Sequence, residues 1–363
     1  MKKQYSVLIL GASYGSLLAC KLLLAGHSVK LACLQSEADS INANGLRTRL
    51  PIKGRPEPIE IAQKPPHGQL SADVPARIDP ADFDLVALAM QEPQYGAAGV
   101  RECLDAIANA RVPCMSIMNM PPPPYLRRIH TIKADSLQGC YADLDAWDSF
   151  EPGMMTLCSP DPQAFRPIAE EPNLLQVTLP TNFKVAPFAS PVHTDMLRDL
   201  QSDIEAIRYE VDGALVELPV KLKVHASLFV PLAKWSMLLT GNYRCVQQAG
   251  ARSIRDAVHS DIRQSQAIYD WVSELCRSLG AAEADQVPFE KYAAAAAQLV
   301  RPSSVARALF AGAVKVERVD RLVHRLGAAQ GMHCDAVDAV VALVDAKLEA
   351  NRAIVAASPQ LAA

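Results

Sequence analysis

One stretch near the N-terminus constrains the fold more than any other part of the chain: LILGASYGSLLACKLLLAGHSVKLACL, from Leu8 to Leu34. A short apolar run ends at a glycine, an apolar segment of helix length follows, and a second apolar run closes the unit. Short, uninterrupted apolar runs are typical of buried parallel strands. The stretch therefore predicts a strand, a helix and a second parallel strand, with the first turn at Gly11.

The turn GASYGS has the residue types that a phosphate-binding turn needs. Such a turn uses small residues to bend tightly, to approach a pyrophosphate and to pack its helix against the strands. Gly11 meets the first need, and Gly15 lies where the helix comes close to the strands or to the phosphate. The backbone around Tyr14 and the hydroxyls of Ser13 and Ser16 are suited to binding an anion at a helix start. The turn is one residue shorter than G-x-G-x-x-G, so the alternative is a unit that keeps this shape without a ligand.

The end of the second strand leaves the type of dinucleotide open. An acidic residue at this point binds the ribose hydroxyls of NAD, whereas an arginine accepts the additional phosphate of NADP. The chain has Cys33-Leu34-Gln35-Ser36-Glu37 here, and neither signature stands at the expected position. Leu34 and Gln35 are candidates for contact with the cofactor, and the choice between NAD and NADP remains undecided.

Further strands and helices alternate over the first half of the chain. A helical stretch is expected at 97–110, and most of the 26 prolines lie between Pro51 and Pro191. Because proline disrupts helices and central strands, we expect loops and short edge strands at 120–190. The strand candidates are Val7–Leu10, Val29–Cys33, Leu85–Met90 and Cys114–Met118. This alternation predicts a doubly wound parallel sheet.

The second half of the chain has the spacing of amphipathic helices. Apolar residues recur at intervals of three and four from about residue 195 onward. The predicted fold class is α/β, with an N-terminal Rossmann-type parallel sheet domain at 1–215 followed by an all-helical C-terminal domain at 216–363. The helices are expected at 197–207, 220–239, 251–279, 288–299, 303–311, 314–329 and 335–350.

Composition excludes several classes of function. The net charge is −3 and no basic run occurs, which argues against nucleic acid. No stretch reaches the roughly 18 apolar residues of a membrane span. Nine scattered cysteines without a C-x-x-C pair suit reduced thiols in the cytoplasm, which is the expected compartment. The histidines show no ligand spacing, and His333-Cys334-Asp335 is adjacent rather than ligand-spaced, so no metal site is assigned.

Six stretches, taken in order, resemble the ketopantoate reductase family, part of the 6-phosphogluconate-dehydrogenase-like group. Each motif is loose, and their order carries the resemblance, which covers most of the chain except about 131–215. The stretches are LILGASYGSLLACKLLLAGHSVKL, INANGLRTRL, FDLVALAMQEPQ, CMSIMNMPPPPYL, LAKWSMLLTGNY and PSSVARALFAGAVKVERVDRLVHRLGAAQGM.

The resemblance implies a reductase that delivers hydride from the reduced form of NADP or NAD (NADPH or NADH) to the ketone of a small 2-keto acid. Lys234 would protonate the new alkoxide, because a lysine partly desolvated in a cleft has a lowered pKa and donates a proton near neutrality. Asn242 would bind substrate, and Asn119 would contact cofactor and substrate at the carboxyl edge of the sheet. The alternatives are a surface Lys234 that covers Trp235 and an Asn119 that only forms a turn.

Other positions depart from the family. Gln91 stands near the place of a family lysine, next to Met90, and both are assigned to the cofactor site. Ser303 matches a serine that holds the substrate carboxylate, although a helix cap is equally expected. An ungapped match puts Lys315 at the place of a substrate-binding glutamate, and a two-residue shift would give that role to Glu317. A cation there would favour a second carboxylate or a phosphate on the substrate, so a substrate other than ketopantoate is expected.

Two other functions remain open. An opine-type dehydrogenase would join an amino acid to a keto acid, and a Rossmann-like sensor would bind a nucleotide with little turnover. The short glycine turn, Gln91 and Leu34 favour the sensor. The resemblance also implies a homodimer formed through the helical domain.

Overall fold

The structure is a computed structural model that describes residues 3–63 and 70–357. The chain forms two compact units, each built from segments that are separate in sequence. The first unit consists of Met1–Met90, Gln94–Arg128 and Asp145–Pro231, and the second of Gln91–Pro93, Ile129–Leu144 and Leu232–Ala363.

All the strands of the described residues lie in the first unit. They are β1 Ser6–Leu10, β2 Ser28–Ala32, β3 Leu46–Leu50, β4 Ile59–Gln63, β5 Leu70–Asp73, β6 Leu85–Leu88, β7 Cys114–Ile117, β8 Met155–Ser159, β9 Gln163–Phe165, β10 Leu174–Leu179, β11 Phe183–Val185, β12 Arg208–Val211, β13 Ala214–Glu217 and β14 Leu222–Val224.

The helices occur in both units. They are α1 Gly15–Leu24, α2 Gln35–Asn44, α3 Val100–Ala110, α4 Pro123–Leu126, α5 Pro191–Glu205, α6 Lys234–Met237, α7 Ile254–His259, α8 Ile262–Leu279, α9 Phe289–Ala296, α10 Ser304–Phe310, α11 Val319–Ala329 and α12 Asp335–Ala357. No helix in the described ranges is long and apolar enough to cross a membrane.

Eight strands form the main sheet in the order β14-β11-β8-β7-β6-β1-β2-β5. The strands β8, β7, β6, β1, β2 and β5 run parallel, and β11 is antiparallel to β8. The four predicted strands are β1, β2, β6 and β7, adjacent in the centre of this sheet. The predicted fold class, a Rossmann-type parallel sheet domain and a helical C-terminal domain, is confirmed.

Helix α1 is buried on all sides. A second sheet, in the order β4-β3-β10-β9, contributes β3 and β4 to its surroundings. Leu17, Leu18 and Leu22 are each at most 1% exposed. A helix that is apolar on nearly all sides is stable only in such an environment. Lys21, the one charged residue of α1, is 1% exposed, and its Nζ donates a hydrogen bond to the Pro219 carbonyl at 2.8 Å.

The proline-rich region differs from its prediction. We expected only loops and short edge strands at 120–190, but β8 is a fully buried strand between β7 and β11. Pro152 and Pro160 lie just outside β8, so its backbone N–H groups remain free to pair. The density of prolines therefore marks the connections here rather than the absence of a central strand.

Three of the predicted helices differ from the structure in more than a shift of their end residues. The expected helix at 220–239 is wrong in its first part, where β14 pairs with β11, and helical turns begin only at Pro231. The expected helix at 251–279 is two helices, because Asp261 caps α8 by accepting a hydrogen bond from the Gln264 N–H. The segment 314–318 precedes α11 and is not helical.

The division between the units falls at 231/232 rather than at 215/216. The reason is that β14, predicted to belong to the helical domain, is an edge strand of the main sheet. The second unit also takes in 91–93 and 129–144.

Candidate active-site residues

Gly11 and Gly15 are required by close packing at the carboxyl end of β1. Gly11 has φ +104°, and a Cβ there would lie 2.6 Å from Met90 Cγ and 3.0 Å from the Ala89 carbonyl oxygen. A Cβ on Gly15 would lie 2.6 Å from Ile9 Cγ2 and 3.2 Å from Ala89 Cβ. Gly15 thus allows α1 to lie close to β1, which is the helix-packing role of a glycine in such turns.

The other three residues of the turn lie in different surroundings. Ser13 is exposed, whereas Ser16 is buried and its hydroxyl donates a hydrogen bond to the Ala12 carbonyl. The Tyr14 hydroxyl donates to the Pro162 carbonyl at 2.8 Å, and its ring meets Phe183 edge-on. Tyr14 provides no side-chain cap for α1. The Ser16 and Leu17 N–H groups donate to the Ser13 and Tyr14 carbonyls at 3.3 and 3.1 Å. The Ser13 hydroxyl and the start of α1 at Gly15 are therefore best suited to bind an anion.

The end of β2 combines an exposed leucine with polar pairs. Leu34 is 70% exposed. Gln35 begins α2, where it accepts a hydrogen bond from Arg77 and donates one to Asp39. Glu37 accepts from the Leu34 N–H at 3.2 Å.

Met90 and Asn119 follow neighbouring parallel strands of the main sheet. Met90 comes after β6, lies against Gly11, and its N–H donates to the buried Tyr95 hydroxyl at 3.1 Å. Asn119 follows β7 and is half-buried. The prolines that follow Asn119 lead into a helix. α4 begins at Pro123, and a proline fits the first turn of a helix. Gln91, which is exposed, belongs to the second unit.

In the second unit, Lys234 and Asn242 lie on one helical segment of irregular pitch. Lys234 begins α6 and is half-buried, and residues 238–242 form a wider, π-helical turn that ends at Asn242. Such turns are frequent at functional sites. They also shift the direction of later side chains relative to a regular helix.

Side chains from elsewhere in the second unit bind the carbonyl groups of this segment. The Tyr292 hydroxyl donates to the Met237 carbonyl at 3.0 Å, and the Ser303 hydroxyl donates to the Asn242 carbonyl at 2.6 Å. Gly241 lets the Tyr292 hydroxyl approach, since a Cβ would lie 2.1 Å from it. These hydroxyl groups provide partners for carbonyl oxygens of the segment and so stabilise its irregular helical turn.

Ser303 acts as a bridge and a helix cap. Besides donating to Asn242, its oxygen accepts the Ala306 N–H at the start of α10. Its hydroxyl proton is thus directed at a backbone carbonyl. The structure places the Ser303 hydroxyl against the Asn242 main-chain carbonyl, and a contact of either side chain with substrate stays a prediction.

Lys315 and Glu317 have opposite surroundings. Lys315 is exposed, whereas Glu317 is 8% exposed and its main-chain carbonyl accepts the Tyr243 hydroxyl at 2.6 Å. Because Tyr243 follows Asn242, Glu317 lies near the helical segment that carries Lys234. The geometry favours Glu317 over Lys315 as the residue of this segment that faces the interior.

Glu92 is a buried carboxyl group that the sequence did not indicate. It is 2% exposed, its Oε1 accepts the Ala142 N–H at 2.9 Å, and its own N–H donates to Glu317 Oε1 at 3.3 Å. Burial raises the pKa of Glu92 to about 7, and the neighbouring Glu317 adds to this, while the Ala142 hydrogen bond opposes it. The sequence around it, QEPQ, contains nothing that predicts a buried carboxyl group at Glu92.

The raised pKa of Glu92 predicts a pH-dependent stability. A carboxyl group with a higher pKa in the folded state stabilises the fold fully below its unfolded pKa of about 4.5 and loses this contribution as pH rises through about 7. Glu92→Gln keeps the acceptor for Ala142 and removes the charge. We expect the variant to gain stability over the wild type between pH 5 and pH 8, by up to about 3 kcal/mol at ~1.4 kcal/mol per pKa unit.

Thermal unfolding at several pH values measures this difference. The exposed Glu349 provides the control, and Glu349→Gln should follow the wild-type profile. A Glu92→Gln profile parallel to that of the wild type at every pH would contradict an ionisation near neutrality.

Two further groups bear on the sequence predictions. All nine cysteines are free thiols, and only Cys334 is not buried. His333, Asp335 and Asp338 have ligand-type atoms within 4.8 Å of one another at the start of α12, and His324 Nε2 lies 2.9 Å from Asp338. The spacing of these residues in the sequence did not predict that their side chains lie close together. They are exposed or half-buried contacts between imidazole and carboxylate groups.

The sheet order, the strand–glycine–helix turn and the helical second unit define the fold as a Rossmann-type parallel sheet domain with a helical second unit. No family model matches the sequence, and no curated protein sequence matches it significantly. Solved structures do match. A protein classed as a ketopantoate reductase from Ralstonia solanacearum MolK2 has 17% identity and a TM-score of 0.65 over 96% of this chain and 99% of its own.

Two other structures match to a similar extent. The 2-dehydropantoate 2-reductase from Methylococcus capsulatus has 14% identity and a TM-score of 0.62, over 95% of this chain and 97% of its own. D-mandelate dehydrogenase, solved with NADH and anilino(oxo)acetate, has 14% identity and a TM-score of 0.62, over 96% and 99%. The resemblance to ketopantoate reductases that the motifs indicated is thus confirmed at the level of the fold.

Proposed function

We propose that the protein is an NAD(P)H-dependent oxidoreductase that reduces a small 2-keto acid. The observation that carries the proposal is the turn at Gly11 and Gly15, where two positions without room for a Cβ bring a helix start with no side-chain cap to the carboxyl edge of a parallel sheet. D-mandelate dehydrogenase, which shares the fold over nearly the whole chain, is solved with NADH and anilino(oxo)acetate.

The residues around the turn fit a dinucleotide. Exposed Ser13 and the start of α1 at Gly15 suit the pyrophosphate, and Leu34 and Gln35 lie at the strand end where an adenosine ribose binds in such folds. Met90 and Asn119 follow β6 and β7 at the same edge, on the side suited to the reactive ring. A bound nicotinamide would supply hydride to the ketone carbon.

The remaining residues provide the proton and the substrate contacts. As hydride reaches the carbonyl carbon, the oxygen becomes an alkoxide, and the Lys234 ammonium group donates the proton that converts it to a hydroxyl. Asn242 provides an amide for hydrogen bonds to the substrate. Glu317, rather than Lys315, is suited to accept a substrate hydroxyl, which supports a substrate without a second acidic group. The homodimer stays a prediction.

The experiment combines binding and turnover. We expect NADH or NADPH to raise the melting temperature of the purified protein and to quench its tryptophan fluorescence. Reduced nicotinamide should then be consumed with at least one member of a panel of straight-chain, branched and aryl 2-keto acids. Binding without turnover on this panel would favour a nucleotide sensor, and turnover only with an added amino acid would favour an opine dehydrogenase. Failure of both nucleotides to bind would exclude the proposal.

A further inference from the structure

The end of β2, where the sequence shows no residue typical of either cofactor, receives an arginine from a distant strand. Arg166 directly follows β9, in the region that the family resemblance did not cover. Its Nη1 lies 2.6 Å from Glu37 Oε1, one turn into α2. The side chain that determines cofactor type in other Rossmann folds comes from β2 or just after it. Here Arg166, which follows a strand of another sheet, pairs with a carboxylate of α2. Among the residues the structure describes, no other arginine pairs with a carboxylate of this helix.

The segment that carries Arg166 contacts residues of the candidate cofactor site at both of its ends. Pro162, before β9, accepts the Tyr14 hydroxyl at 2.8 Å beside the glycine turn. Arg166, after β9, meets Glu37 beside the end of β2. The short stretch from Pro162 to Arg166 therefore borders both the pyrophosphate turn and the ribose position.

The guanidinium group of Arg166 has unused donors. Its Nε and Nη2 are shielded from water and have no hydrogen-bond partner in the part of the chain that the structure describes, although the side chain as a whole is 25% exposed. Nε and Nη2 form one edge of the planar group, the edge that binds two oxygens of a phosphate at once. Unpartnered buried donors are costly, so an acceptor at this edge is expected.

Glu37 is less available than Arg166. One carboxylate oxygen pairs with Arg166, and the other accepts the Leu34 N–H at 3.2 Å. An acidic residue that selects NAD must accept hydrogen bonds from the ribose hydroxyls, and both oxygens of Glu37 already have donors. A phosphate on the ribose would instead meet the Nε–Nη2 edge of Arg166, after a turn of this partly exposed side chain brings the shielded edge to the surface.

We propose that Arg166 binds the 2′-phosphate of NADP(H) and gives this protein a preference for NADP(H) over NAD(H). The inference rests on the proposed function, since it concerns the same cofactor site. Arg166 determines specificity and takes no part in the chemical step.

The test uses nucleotides that differ in one phosphate. Titration calorimetry of the full chain should show tighter binding of adenosine 2′,5′-bisphosphate than of 5′-AMP. Arg166→Met, which keeps the aliphatic part of the side chain, should weaken binding of the bisphosphate and of NADPH by about 10- to 100-fold, the range for a hydrogen-bonded charge. Binding of 5′-AMP and NADH should not change.

Two variants separate recognition from folding. Arg166→Met/Glu37→Gln removes both charges, so that Glu37 is not left unpaired, and should show the same selective loss of phosphate binding. Arg198→Met, which removes an exposed arginine of α5, should bind like the wild type.

The outcomes distinguish this inference from the proposed function. Equal wild-type affinity for NADH and NADPH, or an equal loss of both in the Arg166 variants, would overturn the role of Arg166 while the reductase proposal stands. Absence of binding by any of the four nucleotides to the wild type would overturn both.

Discussion

Replacing Lys234 with methionine is expected to lower kcat for 2-keto acid reduction by about 10²- to 10⁴-fold, the range for loss of a general acid. Methionine is chosen over alanine because it keeps an aliphatic side chain of similar length next to Trp235, which is 1% exposed. The alternative for Lys234, an aliphatic cover for that ring, therefore predicts a nearly normal kcat in this variant.

Steady-state kinetics and cofactor titration measure the two effects separately. The dissociation constant for the reduced cofactor should stay at the wild-type value, since the cofactor-site residues proposed from β1, β2, β6 and β7 belong to the first unit. Lys291→Met, at an exposed position of α9, is the matched control and should retain full turnover. Wild-type kcat in Lys234→Met would remove Lys234 from the mechanism.

The part of the fold that the sequence predicted is the part determined by neighbouring residues. The strand–helix–strand unit at Leu8–Leu34 was predicted from local apolar periodicity and one glycine. The structure contains this unit as β1, α1 and β2. The positions of Gly11 and Gly15 followed from the same local argument. Their role was then decided by distant contacts with Ala89 and Met90.

What the sequence did not predict depends on residues far apart in the chain. The interior strand β8 is defined by pairing with β7 and β11, which no local proline count can reveal. The wide helical turn at 238–242 is stabilised by the hydroxyl groups of Tyr292 and Ser303. They donate to carbonyls that lie 55 and 61 residues earlier in the chain.

The candidate site shows the same limit. Lys234, Asn119 and Asn242 came from a family resemblance, and their catalytic roles remain predictions. Glu92 and Arg166 carried no local signal, because one is a carboxyl group buried by tertiary packing and the other an arginine brought by β9 to the end of β2.

Replacing Gly15 with alanine is expected to destabilise the protein by about 1–3 kcal/mol, as overpacking of a close-packed interior does. The added Cβ would lie 2.6 Å from Ile9 Cγ2 and 3.2 Å from Ala89 Cβ, so α1 must move away from the sheet. Since the same movement displaces the first N–H groups of α1, we also expect the affinity for the reduced cofactor to fall by about tenfold or more, the effect of losing one charge-assisted hydrogen bond.

Denaturant unfolding and cofactor titration test both effects, and the chain offers a matched control. A Cβ on Gly153 would make only an ordinary contact with Ala189 Cβ at 3.5 Å, so Gly153→Ala should leave stability and binding nearly unchanged. Because the clash involves the Cγ2 of Ile9, Gly15→Ala should cost less in an Ile9→Ala background than alone, a coupling that a double-mutant cycle detects. Equal costs in both backgrounds would show that packing of α1 against β1 is not what requires glycine at this position.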